Sequence, residues 1–245
     1  MHPKIKKRLS LPIIFSCIFL GFVLSISAPF YQSYSVTAAE KTPLVRLQNA
    51  QKVVVNSSFI SPLVELFGDV SIGKKVFVAS NTILRADPST QLCIGNETNL
   101  QDNILFLALR NLPAPPSTCG KRASNTGERV SIAHQAKIKN SSLGNFTFIG
   151  FRADLNNVVL EEGAFVLHGA KLANVRIGKD RLVPIAAVIT TQAQADALPL
   201  KTEANANFQR EVLEVNEEFA EHYGELYETA GFDAVTGTSA APKTS

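Results

Sequence analysis

Between residues 70 and 189 the apolar positions recur every six residues. Ile72, Val78 and Leu84 keep that spacing, as do Val70 and Val76, and Ile94, Leu100 and Phe106 follow. The register returns at Ile132 and Ile138, then at Leu143, Ile149 and Leu155, at Leu160, Val166 and Leu172, and at Ile177, Val183 and Ile189. Glycine follows the apolar residue in Ile72-Gly73, Ile94-Gly95, Leu143-Gly144 and Ile177-Gly178. Neither an amphipathic helix, with its 3.6-residue period, nor an ordinary strand, with its two-residue alternation, produces this spacing. A β-helix of hexapeptide repeats does: each short strand sends one aliphatic residue inward, and three strands close a coil. A small or glycine residue is expected to let the chain turn tightly at each corner. A β-sandwich is disfavoured because the hairpin pairs it needs, such as Asn-Gly, are largely missing.

The six-residue register breaks in two places. Residues 110–128 are rich in Pro, Ser, Gly and charge and read as an excursion between coils, since the register resumes directly afterwards. From about residue 202 the spacing changes to three and four, through Phe208, Val212, Val215, Phe219, Tyr223 and Leu226. That predicts one amphipathic helix to about residue 229, packing this stripe on the solenoid or on a neighbouring subunit. The small polar residues 231–245 predict a disordered tail.

The first 39 residues follow a different logic. Lys4, Lys6, Lys7 and Arg8 precede an apolar run over 9–28, and Val36-Thr37-Ala38-Ala39 supplies small residues near its end. This order predicts a secretory signal or, if retained, a membrane anchor, and places the folded part (45–230) in a periplasm or lumen or at a membrane surface. The formal charge of the whole chain is +3, partly from this basic start, so nothing points to nucleic acid. Cys17 lies in the apolar run. Cys93 and Cys119 remain, either as a disulfide favoured by an oxidising compartment or as one buried and one exposed thiol.

Four strings narrow the reading: Arg85-Ala86-Asp87, Asn99-Leu100-Gln101-Asp102, Ile149-Gly150-Phe151-Arg152 and Val188-Ile189-Thr190-Thr191-Gln192. In this order they resemble the γ-class carbonic anhydrases, most closely the branch that forms the N-terminal domain of a β-carboxysome scaffold protein. Leu198-Pro199 and Val215-Asn216 with Tyr223 extend the resemblance, which covers roughly residues 50–228. It implies a left-handed parallel β-helix with one C-terminal α-helix, assembled as a homotrimer with sites between subunits. Arg85 and Asp87 match residues that pair across that interface, and Asp102 lies beside it. Gln101, Asp102, Asn99 and Asn216 match positions that hold the metal-bound water and bicarbonate.

The metal ligands depart from the pattern. The family binds zinc, iron or cobalt with three histidines drawn from two subunits, and the matching positions here are Leu107, His134 and Lys139. Leucine has no lone pair and an ammonium repels a cation, so only His134 survives as a ligand position. Elsewhere, His168 is expected at a corner or surface and His222 on the exposed side of the helix. His134 is expected to bond to Asp102 or Gln101, and Lys139 to balance Asp102 across the interface. The sequence therefore points to an exported trimer without a bound cofactor and without CO₂ hydration. Such a trimer would serve as a structural module, or bind a bicarbonate-sized anion or a membrane-complex protein. An active carbonic anhydrase with a rebuilt metal site is the alternative, and a hexapeptide acyltransferase a more distant one.

Overall fold

A computed structural model describes residues 58–110 and 124–229, together with the backbone of a short strand, Ala50–Lys52. The N-terminal segment, Cys119 and the tail after 230 lie outside the described residues. Twenty short strands, all paired in parallel, wind into a left-handed β-helix of about seven coils with three flat faces. The first face stacks seven strands, from Phe59–Ile60 through Asn99–Leu100 and Ser131–Ile132 to Leu182–Val183. The second runs through Ile83–Ala86, Leu105–Ala108 and Lys137–Lys139 to Val188–Ile189. The third includes Leu92–Ile94, Ser124–Thr126 and Ser142–Leu143. The eight-residue strand Glu65–Ile72 begins on the second face and continues onto the third, joining them into one sheet.

The six-residue register is the inner lining of this solenoid. On the first face Val78, Leu100, Ile132, Ile149 and Val166 lie in direct register, each 0% exposed. Burying an aliphatic side chain completely is worth about 1.5–3 kcal/mol relative to leaving it exposed. Repetition of that gain in every coil is what lets two- and three-residue strands persist.

Three expectations need correction. The break in the register ends earlier than residue 128: Ser124–Thr126 is a third-face strand, and Thr126 occupies an inner position that Leu143 takes in the next coil. The polar Ser-Asn-Thr string concealed it. Thr126 fits inside because its Oγ1 accepts the Gly95 N–H at 2.8 Å.

Glycine does not shape the corners in the way expected. Fourteen non-glycine residues hold the left-handed backbone there, among them Asn81, Asn103, Asn157 and Asn174. Asparagine tolerates that region best among residues with a side chain. Gly73, Gly95 and Gly144 instead mark close approach between coils. A Cβ on Gly95 would sit 2.1 Å from the Gly127 carbonyl oxygen.

The third correction concerns the helices. A five-residue helix, α1 (Gln192–Asp196), precedes the long one, opened by a reciprocal cap between Thr191 and Gln194. Ala195 and, just after the helix, Leu198 are buried in the main core cluster beyond the last coil. The long helix, α2 (Glu203–Thr229), runs back along the first face from Phe146 to Phe59. It buries Gln209, Leu213, Asn216 and Ala220 on the first face, while the apolar stripe read from the sequence is only partly covered within the single chain. Phe208, Val215, Phe219, Tyr223 and Leu226 stay 36–50% exposed. The physical reason lies on the solenoid: the middle of the first face presents Asn99 and Ser131 outward, so the helix meets it with polar and small residues. Its aromatic residues flank that strip, with Phe208 against Phe148 and Phe219 against Phe77.

Candidate functional site

The residues singled out by sequence gather where the third and fourth coils turn from the first face to the second. Asn99 is buried and donates through Nδ2 to Ser131 Oγ at 2.9 Å. Gln101, two residues on, donates through Nε2 to Asn216 Oδ1 on α2. Asn216 in turn donates to the Val212 carbonyl one helical turn back, at 2.7 Å. All three amide positions thus fasten α2 or a neighbouring coil.

Asp102 and His134 occupy equivalent places in successive corners. Asp102 Oδ1 accepts the Ser80 N–H at 3.1 Å, and Oδ2 lies 3.1 Å from His134 Nδ1. The Asp102 N–H also approaches Nδ1, at 3.3 Å. One ring nitrogen cannot donate to the carboxylate and accept from the amide at once. The shorter contact and the stronger, charge-assisted partner favour an Nδ1 that carries its proton toward Oδ2. His134 stacks on Phe151, with ring centroids 5.4 Å apart, and Phe151 contacts His168 at 4.7 Å. His168 sits at the next corner but one, where its Nδ1 accepts the Phe151 N–H at 3.0 Å. His222 is exposed on α2 beside Tyr223.

Leu107 and Lys139 lie elsewhere. Arg85, Leu107, Lys139 and Asn156 form one row across the second face. His134 is in the turn before the strand that ends at Lys139, so a single chain keeps the imidazole and the row at opposite ends of the face. Lys139 is half-buried and has no side-chain hydrogen bond or ion pair among the described residues. Arg85 pairs with Asp87, just past the end of its strand, with Nε and Nη2 at 2.7 and 2.6 Å from Asp87 Oδ1. Cys93 is buried and disulfide-bonded, and the expected partner, Cys119, lies outside the described residues.

At the three positions that the resemblance matches to metal ligands stand a hydrocarbon, Leu107, an ammonium, Lys139, and one imidazole, His134, whose Nδ1 lies against Asp102.

Sequence reasoning missed two parts of the site. Ser80 and Ser131 carry no recognisable motif, and only the register reveals them as partners of Asp102 and Asn99. Beside Gln101 and Asp102 the solenoid and α2 also form a half-open cavity of about 290 Å³, partly walled by Phe59, Phe77, Phe219 and Tyr223. Phe59 and Phe77 stack at 5.6 Å. Their placement just before the inward residues Ile60 and Val78 was a usable signal of an outward-facing aromatic pair. At the edge of the same helix Lys75 is held above its ordinary pKa of 10.5, first by its hydrogen bond to Glu217 and then by the negative charges of Glu217, Glu97 and Glu221.

Known proteins with related sequences include carbonic anhydrases and carboxysome assembly proteins. The carbonic anhydrase of Methanosarcina thermophila is 31% identical over 191 residues, covering 71% of this chain and 75% of that protein. The carboxysome assembly protein CcmM of Nostoc sp. is 32% identical over 182 residues, covering 74% of this chain. This chain spans 33% of the length of that CcmM. The mitochondrial γ carbonic anhydrase 1 of Arabidopsis thaliana is 32% identical over 138 residues, 55% of this chain and 48% of that protein. No family model matches. The chain belongs to the γ-carbonic-anhydrase-like hexapeptide family.

Proposed function

We propose that this protein is an exported homotrimer on the γ-carbonic-anhydrase scaffold that does not hydrate CO₂ and serves as a structural or protein-binding module. The observation that carries the reading is the second-face row, where Leu107 and Lys139 lie side by side at the positions of two family ligands. Metal-bound hydroxide is the nucleophile that CO₂ hydration requires, and this donor set offers no means to generate it. The polar residues that would otherwise orient bicarbonate hold the molecule together instead, with Asn99 on Ser131 and Gln101 on Asn216. That favours a structural role over anion capture.

Assembly through the second face is supported by its outward side, where Phe67, Ile83, Leu105 and Leu107 are only half-buried in the single chain. Apolar residues in such a row gain from a partner. Arg85, Asp87 and Lys139 lie on that face and would then exchange partners across the interface. The disulfide at Cys93 supports an oxidising compartment, in keeping with the basic and apolar N-terminal segment. Among the described residues no helix is long and apolar enough to cross a membrane, so an anchor would fall to the N-terminal segment.

The test is elemental analysis of the purified protein, with its mass in solution and CO₂ hydration measured on the same sample. A metal-free, inactive trimer is expected. Stoichiometric zinc, iron or cobalt with hydration activity would overturn the reading. The double variant Leu107→His/Lys139→His sharpens it: in a trimer of the family type this variant acquires about one metal per interface, and failure to do so would place the subunits differently.

A further inference from the structure

The cavity beside Gln101 and Asp102, left without a metal in the reading above, has a chemistry that points to a different ligand. Phe59, Phe77 and Tyr223 lie with ring centroids 5.6–5.9 Å apart, and Phe219 joins them at 5.7 Å from both Phe77 and Tyr223. Together they form a continuous aromatic wall. At about 290 Å³ the space is close to the lower limit of ordinary ligand pockets, roughly 300 Å³, and shares their mix of apolar walls with a few polar groups. The polar part is Gln101, Asp102 and the hydrogen-bonded hydroxyls of Ser61 and Ser80, 2.9 Å apart.

The charge is one-sided. Asp102 is the one acidic side chain lining the cavity, and no basic side chain lines it among the described residues. The helix that supplies Phe219 and Tyr223 carries eight glutamates and one arginine in its 27 residues. A negative field converging on aromatic faces attracts cations and repels anions. The Asp102 carboxylate offers about four acceptor sites, and Ser80 and His134 occupy two. A bare metal ion would want oxygen ligands on several sides, and four ring faces do not provide them.

We propose that this cavity binds a small organic cation, an ammonium group carried on an aromatic or short aliphatic body. The ammonium donates to Asp102 and Gln101 while the body lies against Phe59, Phe77, Phe219 and Tyr223. This assignment rests on the metal-free reading above, which elemental analysis tests separately.

Calorimetric titration of the full protein in its native assembly with phenethylamine tests it, using 2-phenylethanol and phenylacetate as neutral and anionic counterparts. A ligand of this size should bind with a dissociation constant on the order of 1 mM. The alcohol should bind at least tenfold more weakly and the carboxylate not at all. Asp102→Asn should weaken amine binding tenfold or more, with its melting temperature followed to confirm folding. Phe219→Ala, at an exposed helix position that leaves the solenoid core intact, should weaken amine and alcohol alike. Equal binding of amine and alcohol, an unaffected Asp102→Asn, or no binding by the wild type would each overturn the proposal. So would binding that emerges only in Lys139→Ala, because the cation of this pocket would then be a lysine of the protein itself.

Discussion

The first three coils and the last four follow one plan but keep it with different strictness. From Ser131 onward, equivalent positions are 17 residues apart, coil after coil. Before that the steps are 18, 22 and 32 residues. Arg85, Asp87, Asn99, Gln101, Asp102 and Leu107 fall in the irregular part, as do Cys93 and two walls of the cavity, while His134 and Lys139 open the first regular coil. In the regular coils each corner and inner position has near-equivalents above and below. In the irregular coils several of these residues keep register with the next coil, as Asn99 does with Ser131 and Leu107 with Lys139, but differ from it in chemistry. A solenoid can add chemistry by lengthening a corner without disturbing the inner lining.

The largest expected effect separates the two regions by a single methyl group. In Gly95→Ala the new Cβ would meet Gly127 backbone atoms at 2.1 and 2.6 Å, and neither can retreat without parting the coils. A loss of roughly 3 kcal/mol or more is expected in chemical denaturation. At the regular end, Gly178→Ala meets nothing nearer than a flexible Arg181 side-chain carbon at 3.6 Å and should change stability by less than about 0.5 kcal/mol. Similar costs at the two glycines would mean that close approach between coils is not what requires glycine at 95.

A middle-sized effect is expected inside the lining. Thr126→Val keeps the shape but removes the acceptor for the buried Gly95 N–H, at a cost of about 1–3 kcal/mol. If valine proved neutral or stabilising, Thr126 would be merely tolerated, and the irregular coil would rest on the same apolar lining as the regular ones.

The inner lining was legible because the period is carried by large aliphatic residues whose only role is burial, as with Leu100, Ile132 and Ile149. The strand at Ser124 was not, because a threonine satisfied by one long-range hydrogen bond looks like loop in sequence. The helix was located closely. Its aromatic residues flank a polar strip where the first face presents Asn99 and Ser131, which the sequence did not reveal. The short α1 was missed although Thr191 and Gln194 have the spacing of a reciprocal cap. Of the site, the expected bond between His134 and Asp102 is present. The pairing of Gln101 with Asn216, 115 residues away, depends on where α2 lands, which no local pattern encodes.

The smallest expected effect concerns how α2 is held at the irregular end. Lys75 pairs with Glu217 there, with both side chains nearly half exposed, so solvent and salt screen the contact. Because Glu217 raises the Lys75 pKa in the folded state above 10.5, the pair's contribution is complete below pH 10.5 and is lost as pH rises through the raised value. Lys75→Met should therefore melt slightly below wild type at pH 8 in low salt. The gap should narrow in high salt and close well above pH 10.5. A gap that survived both treatments would mean that the lysine stem contributes more than its charge, and that α2 is held here by the Gln101–Asn216 amide pair and its aromatic contacts without help from the ion pair.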